Sequence, residues 1–209
     1  MKTTVKFLDK LGTWKGIKNA CRTTINKNES DIEPTTEWKR KILMSEHSPI
    51  RKMLFNWKWF DLPYWVSVHL VRHNQGCTPF VGTQRDDRND YTTNQSHTTR
   101  TKAPQDTPVT HEELANVQAL INISRKRLCF CASKETREAW QLALDEVVKP
   151  NEPEIYTQCV KECVYRNGLC PEFKSCGYNK SDAFEEELKQ YLEYHKTQIN
   201  PKTSIFKNK

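Results

Sequence analysis

The chain has 209 residues, enough for one domain with a proper core or for a domain with a small appendage, and 33 Lys+Arg against 26 Asp+Glu leave a formal net charge of +7. The basic residues are scattered rather than blocked, so the charge favours a small anionic ligand, and no specific nucleic acid is expected. No run of about 18 apolar residues exists and Met1–Lys10 lacks the apolar core of a secretion signal, which excludes a helical membrane span and makes the cytoplasm the expected compartment.

Residues 1–30 are mixed and accommodate a strand and a short helix. Pro34-Thr35-Thr36-Glu37-Trp38 opens a helix toward Met44, with Thr36 as the candidate cap. Met53, Phe55, Trp57 and Trp59 alternate with more varied neighbours, the period of a strand with one aromatic face inward. Pro63 suits the first turn of a helix, and Tyr64 to Arg72 is apolar enough to be buried. Residues 86–110 are polar and aperiodic, long for a loop inside a compact domain, and read as a lid or a solvated insertion. Thr110-His111-Glu112-Glu113 has the spacing of a capping box, predicting a helix through Leu114, Val117, Leu120, Ile121 and Leu128. Further helices are predicted over Ser133–Val148 and Ser181–His195, and the basic end, Asn200–Lys209, reads as frayed.

Eight cysteines in a reducing compartment argue for thiols or metal rather than disulfides. Cys159, Cys163, Cys170 and Cys176 surround a Gly- and Pro-containing stretch that lets the chain turn back, as a knuckle of ligands requires. Thiolates suit tetrahedral zinc or an iron–sulfur cluster, and Cys129 or Cys131 is able to replace one ligand. A four-thiolate site staples structure and leaves no open position for chemistry. Buried free thiols are the plain alternative, and Cys77 reads as such a packing residue.

The segment Trp65-Val66-Ser67-Val68-His69-Leu70-Val71-Arg72-His73-Asn74, then Phe80-Val81-Gly82-Thr83-Gln84-Arg85, carries the candidate chemistry. Two guanidinium groups bracket a short Gly-containing turn, and each is a planar fork of donors suited to phosphate and carbonyl oxygens. A nucleotide fits that description; cations at a helix C-terminus are the bland alternative.

This stretch resembles the flavin-dependent thymidylate synthases. Arg72-His73-Asn74, a spacer, then Thr83-Gln84-Arg85 is similar to that family's signature, and His69 stands in its lead-in. Glu46-His47-Ser48-Pro49-Ile50 resembles an upstream element of the family, and Asn122-Ile123-Ser124-Arg125 with Cys129-Phe130 resembles a downstream one. The third basic residue of the signature is Asn74 here, and Val81 stands where the family has an acid; Asp86 and Asp87 lie near enough in sequence to replace it.

The resemblance implies an α+β fold, with a central mixed or antiparallel sheet flanked by helices. Residues 1–150 would form that domain, with 151–209 a Cys-rich segment and C-terminal helix packed on it. It implies methylation of dUMP at C5 with methylene-tetrahydrofolate, reduced FAD and NADPH, in a homotetramer whose active sites are shared between subunits. Arg72, His73, Asn74, Ser48 and Asn122 would hold the flavin. His69, Thr83, Gln84 and Arg85 would bind the nucleotide, with Arg85 or Arg125 polarising the pyrimidine carbonyl. A related pyrimidine nucleotide as substrate is one alternative. A metal-stapled basic protein stacking single-stranded nucleic acid on Trp57, Trp59 and Tyr64 is the other.

Overall fold

A four-stranded antiparallel sheet in the order β1-β2-β4-β3 forms the centre of the computed structural model, which describes residues 2–84 and 102–196. The strands are β1 (Thr4–Leu11), β2 (Leu54–Pro63), β3 (Cys77–Val81) and β4 (Pro108–Asn116). Before β2 come α1 (Trp14–Thr23), α2 (Thr36–Met44) and a short 3-10 turn (Ser48–Lys52); α3 (Tyr64–Leu70) follows β2. After β4 come α4 (Val117–Arg127) and α5 (Lys134–Ala143), which runs through a π-helical turn, Leu144–Val148, into α6 (Lys149–Asn151). The described part of the chain continues with α7 (Pro153–Tyr156), α8 (Glu162–Tyr165) and α9 (Asp182–Tyr194). Among the described residues no helix is long and apolar enough to cross a membrane.

The aromatic alternation in β2 is a core face. Phe55, Trp57 and Trp59 are at most 1% exposed, and Trp57 meets Trp59 and Trp140 edge-on at 5.3 and 6.1 Å between ring centroids. The Trp59 indole N–H donates to Ala139 O at 3.0 Å, which ties the sheet to α5. Trp57 and Trp59 therefore present no surface on which a base can stack, against the nucleic-acid alternative. Their burial stabilises the sheet–helix packing, since each large aromatic removes on the order of 150–250 Å² from water.

Two local expectations are corrected. Thr35, not Thr36, caps α2, its hydroxyl accepting from Trp38 N at 3.2 Å. Residues 110–113 lie inside β4, and helix α4 begins only at Val117. His111, Glu113 and Ala115 alternate inward, and β4 is hydrogen-bonded on both sides, to β2 and to β3. Ladder bonds along two edges outweigh one local capping pattern. The actual cap is Asn116, whose Oδ1 accepts from Ala119 N at 2.9 Å and contributes about 1 kcal/mol. Gly76, at φ +80°, makes the turn into β3, and a Cβ there would meet Asn116 Nδ2 at 2.6 Å. Asn116 N in turn donates to Gly76 O at 2.9 Å, so turn and cap fix each other.

The chain beyond residue 150 joins the same core at its start. Ile155 and Cys159 pack into the main apolar cluster, while Cys163, Val164 and Phe184 form a second, small one with Leu188 and Tyr191 against it. Glu152 is buried, pairs with Lys10 of β1 and accepts from the Trp14 indole N–H at 2.6 Å. Ser181 caps α9, accepting from Phe184 N.

Candidate functional site

The end of α3 meets the end of α4 and the start of α5, and four basic side chains converge there. Arg127, on the last turn of α4, donates through Nε to His73 Nε2 at 2.7 Å and through Nη2 to the His69 carbonyl at 2.8 Å. His69 Nδ1 lies 3.1 Å from Thr136 Oγ1, and Ser133 donates to that same hydroxyl at 2.7 Å. Arg72 is exposed beside them, and its charge acts on both His69 and Arg127. Asn74 follows, also exposed. The structure thus brings together His69, Arg72, His73 and Asn74, and adds Arg127, which sequence reading left out. Its signal was there: a third cation in the last turn of α4.

Arg127 is half-buried, and among the described residues no carboxylate lies within ion-pair distance of it. Burial, then the repulsion of Arg72, pulls its pKa down. Burial and Arg127 together press His73 down to about 4, and burial, Arg127 and Arg72 lower His69. His73 is therefore neutral at pH 7. Because Nε2 accepts from Arg127, its proton sits on Nδ1, free to donate.

The depressed His73 pKa makes folding pH-dependent. An unfolded His73 takes a proton near 6.5; the folded one resists until about 4. Its contribution is complete above 6.5 and is lost as pH falls from there toward 4. Urea midpoints are expected to decline across that window, and His73→Phe to flatten the part above about pH 5, where few carboxylates titrate. Identical slopes for the two proteins would refute this.

Asn122 and Arg125 lie elsewhere. On α4 they share a face with Gln118, roughly opposite Arg127. Arg125 pairs with Glu46, and its guanidinium stacks on Tyr165 at 3.5 Å. Gln118 donates to Glu46 Oε2 at 2.6 Å and to Asn122 Oδ1 at 3.2 Å. Glu46 holds φ +49°, a conformation that side chains other than Gly adopt at a cost, with its carboxylate bridging α2 to α4. Arg125 is thus neutralised by a carboxylate and covered by α8, unlike Arg127. Ser48 is exposed on the 3-10 turn, two residues from Glu46 and away from the basic cluster. Lys134 is exposed and pairs with Glu138, while Arg137 stacks on Phe130.

The expected short turn between the two halves of the signature is a strand. Arg72–Asn74 precede β3 and Thr83–Gln84 follow it, so roughly 13 Å of extended chain separates them. Within one chain they do not bracket a single turn. Gln84 Nε2 is nevertheless buried without a hydrogen-bond partner, a donor with an unmet need. Arg85, Asp86 and Asp87, with the expected lid up to residue 101, lie outside the described residues.

Under the cluster runs a buried polar chain. Ser67 Oγ lies 2.9 Å from His111 Nδ1, and His111 Nε2 lies 3.0 Å from Glu113 Oε2. The arrangement copies a hydrolytic relay, but Ser67, His111 and Glu113 are at most 2% exposed. No substrate reaches the hydroxyl, so the chain serves to lock α3 to β4. The Cys77 thiol donates to His73 O, and burial followed by the charge of Glu113 pushes it up to about 12. It is a packing thiol and no nucleophile.

The four expected metal ligands do not converge. Cys159 is buried in the main core, its thiol donating to Ile155 O at 3.4 Å and pushed up to about 12 by burial. Cys163 sits in the second cluster. Cys176 instead meets Cys129 and Cys131, and Cys170 stands outside that group. The cause is topological: Cys159, just past the end of α7, is held inside the core, whereas the later loop folds back onto the end of α4.

No family model matches the sequence, and no curated protein does. Solved structures do. The UMP/dUMP methylase PolB from Streptomyces cacaoi, bound with 5-Br dUMP, superposes with a TM-score of 0.61 at 12% identity, over 75% of this chain and 94% of that one. Flavin-dependent thymidylate synthase ThyX from Helicobacter pylori, complexed with FAD and dUMP, gives 0.61 at 13% identity, over 76% of this chain and all of its own. A second structure of the Helicobacter pylori enzyme, also with FAD and dUMP, gives 0.60 over 77%. Helices after β4, the aromatic sheet and the α3 end that carries Arg72 thus assemble, at wide sequence divergence, into the fold of the flavin-dependent thymidylate synthases.

Proposed function

We propose that this chain is a flavin-dependent methyltransferase of the cytoplasm that methylates a pyrimidine nucleotide, dUMP first, at C5. The observation that carries the reading is the Arg127 guanidinium, half-buried beside Arg72 with no carboxylate of the described residues to neutralise it. An unpaired charge in such a setting is costly, and an anionic ligand offsets that cost. The fold supports the reading, because two of its neighbours bear names for this chemistry and were solved with dUMP or 5-Br dUMP.

FAD fits the residues present: two cations for phosphate oxygens, and a buried Gln84 amide still in need of an acceptor. When bound, FAD reduced by NADPH supplies hydride, and methylene-tetrahydrofolate supplies the one-carbon unit. The protein binds and orients. Arg72 and Arg127 take phosphate oxygens, with Asn74 at the rim. Neutral His73, its Nδ1–H free, donates a hydrogen bond without adding charge, and His69 is held by Thr136. Thr83, Gln84 and Arg85 form the nucleotide half. A guanidinium at a pyrimidine carbonyl stabilises negative charge as the ring is activated. Arg85 is the better choice for this, since Arg125 is already paired with Glu46. A homotetramer with shared active sites would let one protomer's Arg72–Asn74 meet another's Thr83 and Gln84, which β3 separates within one chain.

UMP is the second substrate candidate, on the strength of the likeness to a UMP/dUMP methylase and of Val81 in the place of an acid. The test uses the purified full chain. The expected result is yellow protein absorbing near 450 nm (an approximate figure for flavins), with a C5-methylated product from dUMP, methylene-tetrahydrofolate and NADPH. UMP and dCMP run beside it to rank substrates. Colourless protein that binds neither FAD nor any of these nucleotides overturns the reading.

A further inference from the structure

Two loops far apart in sequence deliver three thiols to one point. Cys129 and Cys131 follow α4, Cys176 precedes the turn into α9, and their sulfurs all lie within 4.8 Å of one another. The backbone N–H of Cys131 points at Cys129 Sγ at 3.5 Å, the kind of contact that steadies a thiolate ligand. Gly177, at φ +82°, turns the chain directly after Cys176, and its N–H bonds Ser175 Oγ at 3.1 Å. Cys163 on α8 is buried in the second apolar cluster and stands outside the trio.

Three unbridged thiols this close, with Cys131 and Cys176 exposed, gain little as packed side chains, and soft sulfur donors at this spacing suit a thiophilic ion that displaces their protons. A tetrahedral ion with metal–sulfur bonds of about 2.3 Å sets its sulfurs about 3.8 Å apart, so the trio needs only slight contraction. An iron–sulfur cluster would hold its cysteine sulfurs farther apart, because irons and bridging sulfides stand between them.

We propose that Cys129, Cys131 and Cys176 bind a zinc ion through their three thiolates. The site is independent of the methyltransferase reading, and its part is structural. Its role is to pin the segment after α4 to the chain that leads into α9. That segment begins two residues after Arg127 and ends at Ser133 and Thr136, so the ion also steadies the groups that hold His69 and His73.

The test measures metal in the full chain purified under reducing conditions without added chelator. About one zinc per chain is expected. After removal of zinc, added Co²⁺ should give the intense visible bands and near-ultraviolet charge transfer of a tetrahedral thiolate site. Cys131→Ser and Cys176→Ser alter exposed residues and should keep the fold by circular dichroism yet lose the ion. Cys21→Ser and Cys170→Ser, outside the trio, should leave Co²⁺ binding unchanged. A reduced chain that takes up neither ion, a bound ion that survives Cys131→Ser, or a disulfide linking two of the three in the protein as isolated each overturns the proposal.

Discussion

Arg127→Met is expected to weaken binding of FAD or of the nucleotide by roughly 10- to 150-fold, the equivalent of one charged hydrogen bond worth about 1.5–3 kcal/mol. Methionine keeps the stem and its packing and removes only the fork. The same change withdraws the cation that helps hold His73 at about 4, so the imidazole should titrate closer to its ordinary 6.5. Two readouts therefore move together: affinity by isothermal titration and the His73 pKa by NMR. Arg125→Met is the matched comparison. Its partner is Glu46, so it should cost stability through an abandoned carboxylate while leaving affinity nearly intact. Unchanged affinity in Arg127→Met would remove this arginine from the site.

His111→Ala should cost about 3–5 kcal/mol of stability, the usual result of leaving a buried charged group without its partner. His111 is fully buried between Ser67 and Glu113 and meets the Trp59 ring edge-on at 5.2 Å. Removing it strands the Glu113 carboxylate, leaves Ser67 without its acceptor and opens a void beside Trp59. For a chain of this size the melting temperature should fall by roughly 10 °C. Glu113→Gln, which still offers an oxygen to His111 Nε2, should be far milder. A loss in His111→Ala no larger than that in Glu113→Gln would mean that β4 is not anchored this way.

Periodicity is legible in a sequence where one element meets one face of the core. The β2 aromatics and the α9 stripe through Phe184, Leu188 and Tyr191 appear where alternation and helical spacing put them. β4 was illegible for the opposite reason. Its two central inward positions are His111 and Glu113, polar residues whose burial is stabilised by Ser67 from a separate helix. Without that partner in view, Thr110–Glu113 reads as a helix start, and the true cap three residues farther on is missed.

At the candidate site, the residue types along the chain point to Arg72 and His73 and to an anionic ligand, and the fold brings both side chains beside Arg127. Which arginine joins them could not be read that way. Arg125 and Arg127 differ by two positions on α4, about half a turn of helix, and packing alone sends one to Glu46 and the other to His73. The cysteines divide likewise: spacing groups Cys159 with Cys163, but packing of the turn after α7 takes Cys159 into the core and a returning loop carries Cys176 to Cys129 and Cys131. Composition and period are properties of neighbours in sequence, whereas a partner for a charge or a thiol is chosen by whichever surface the folded chain brings within a few ångströms.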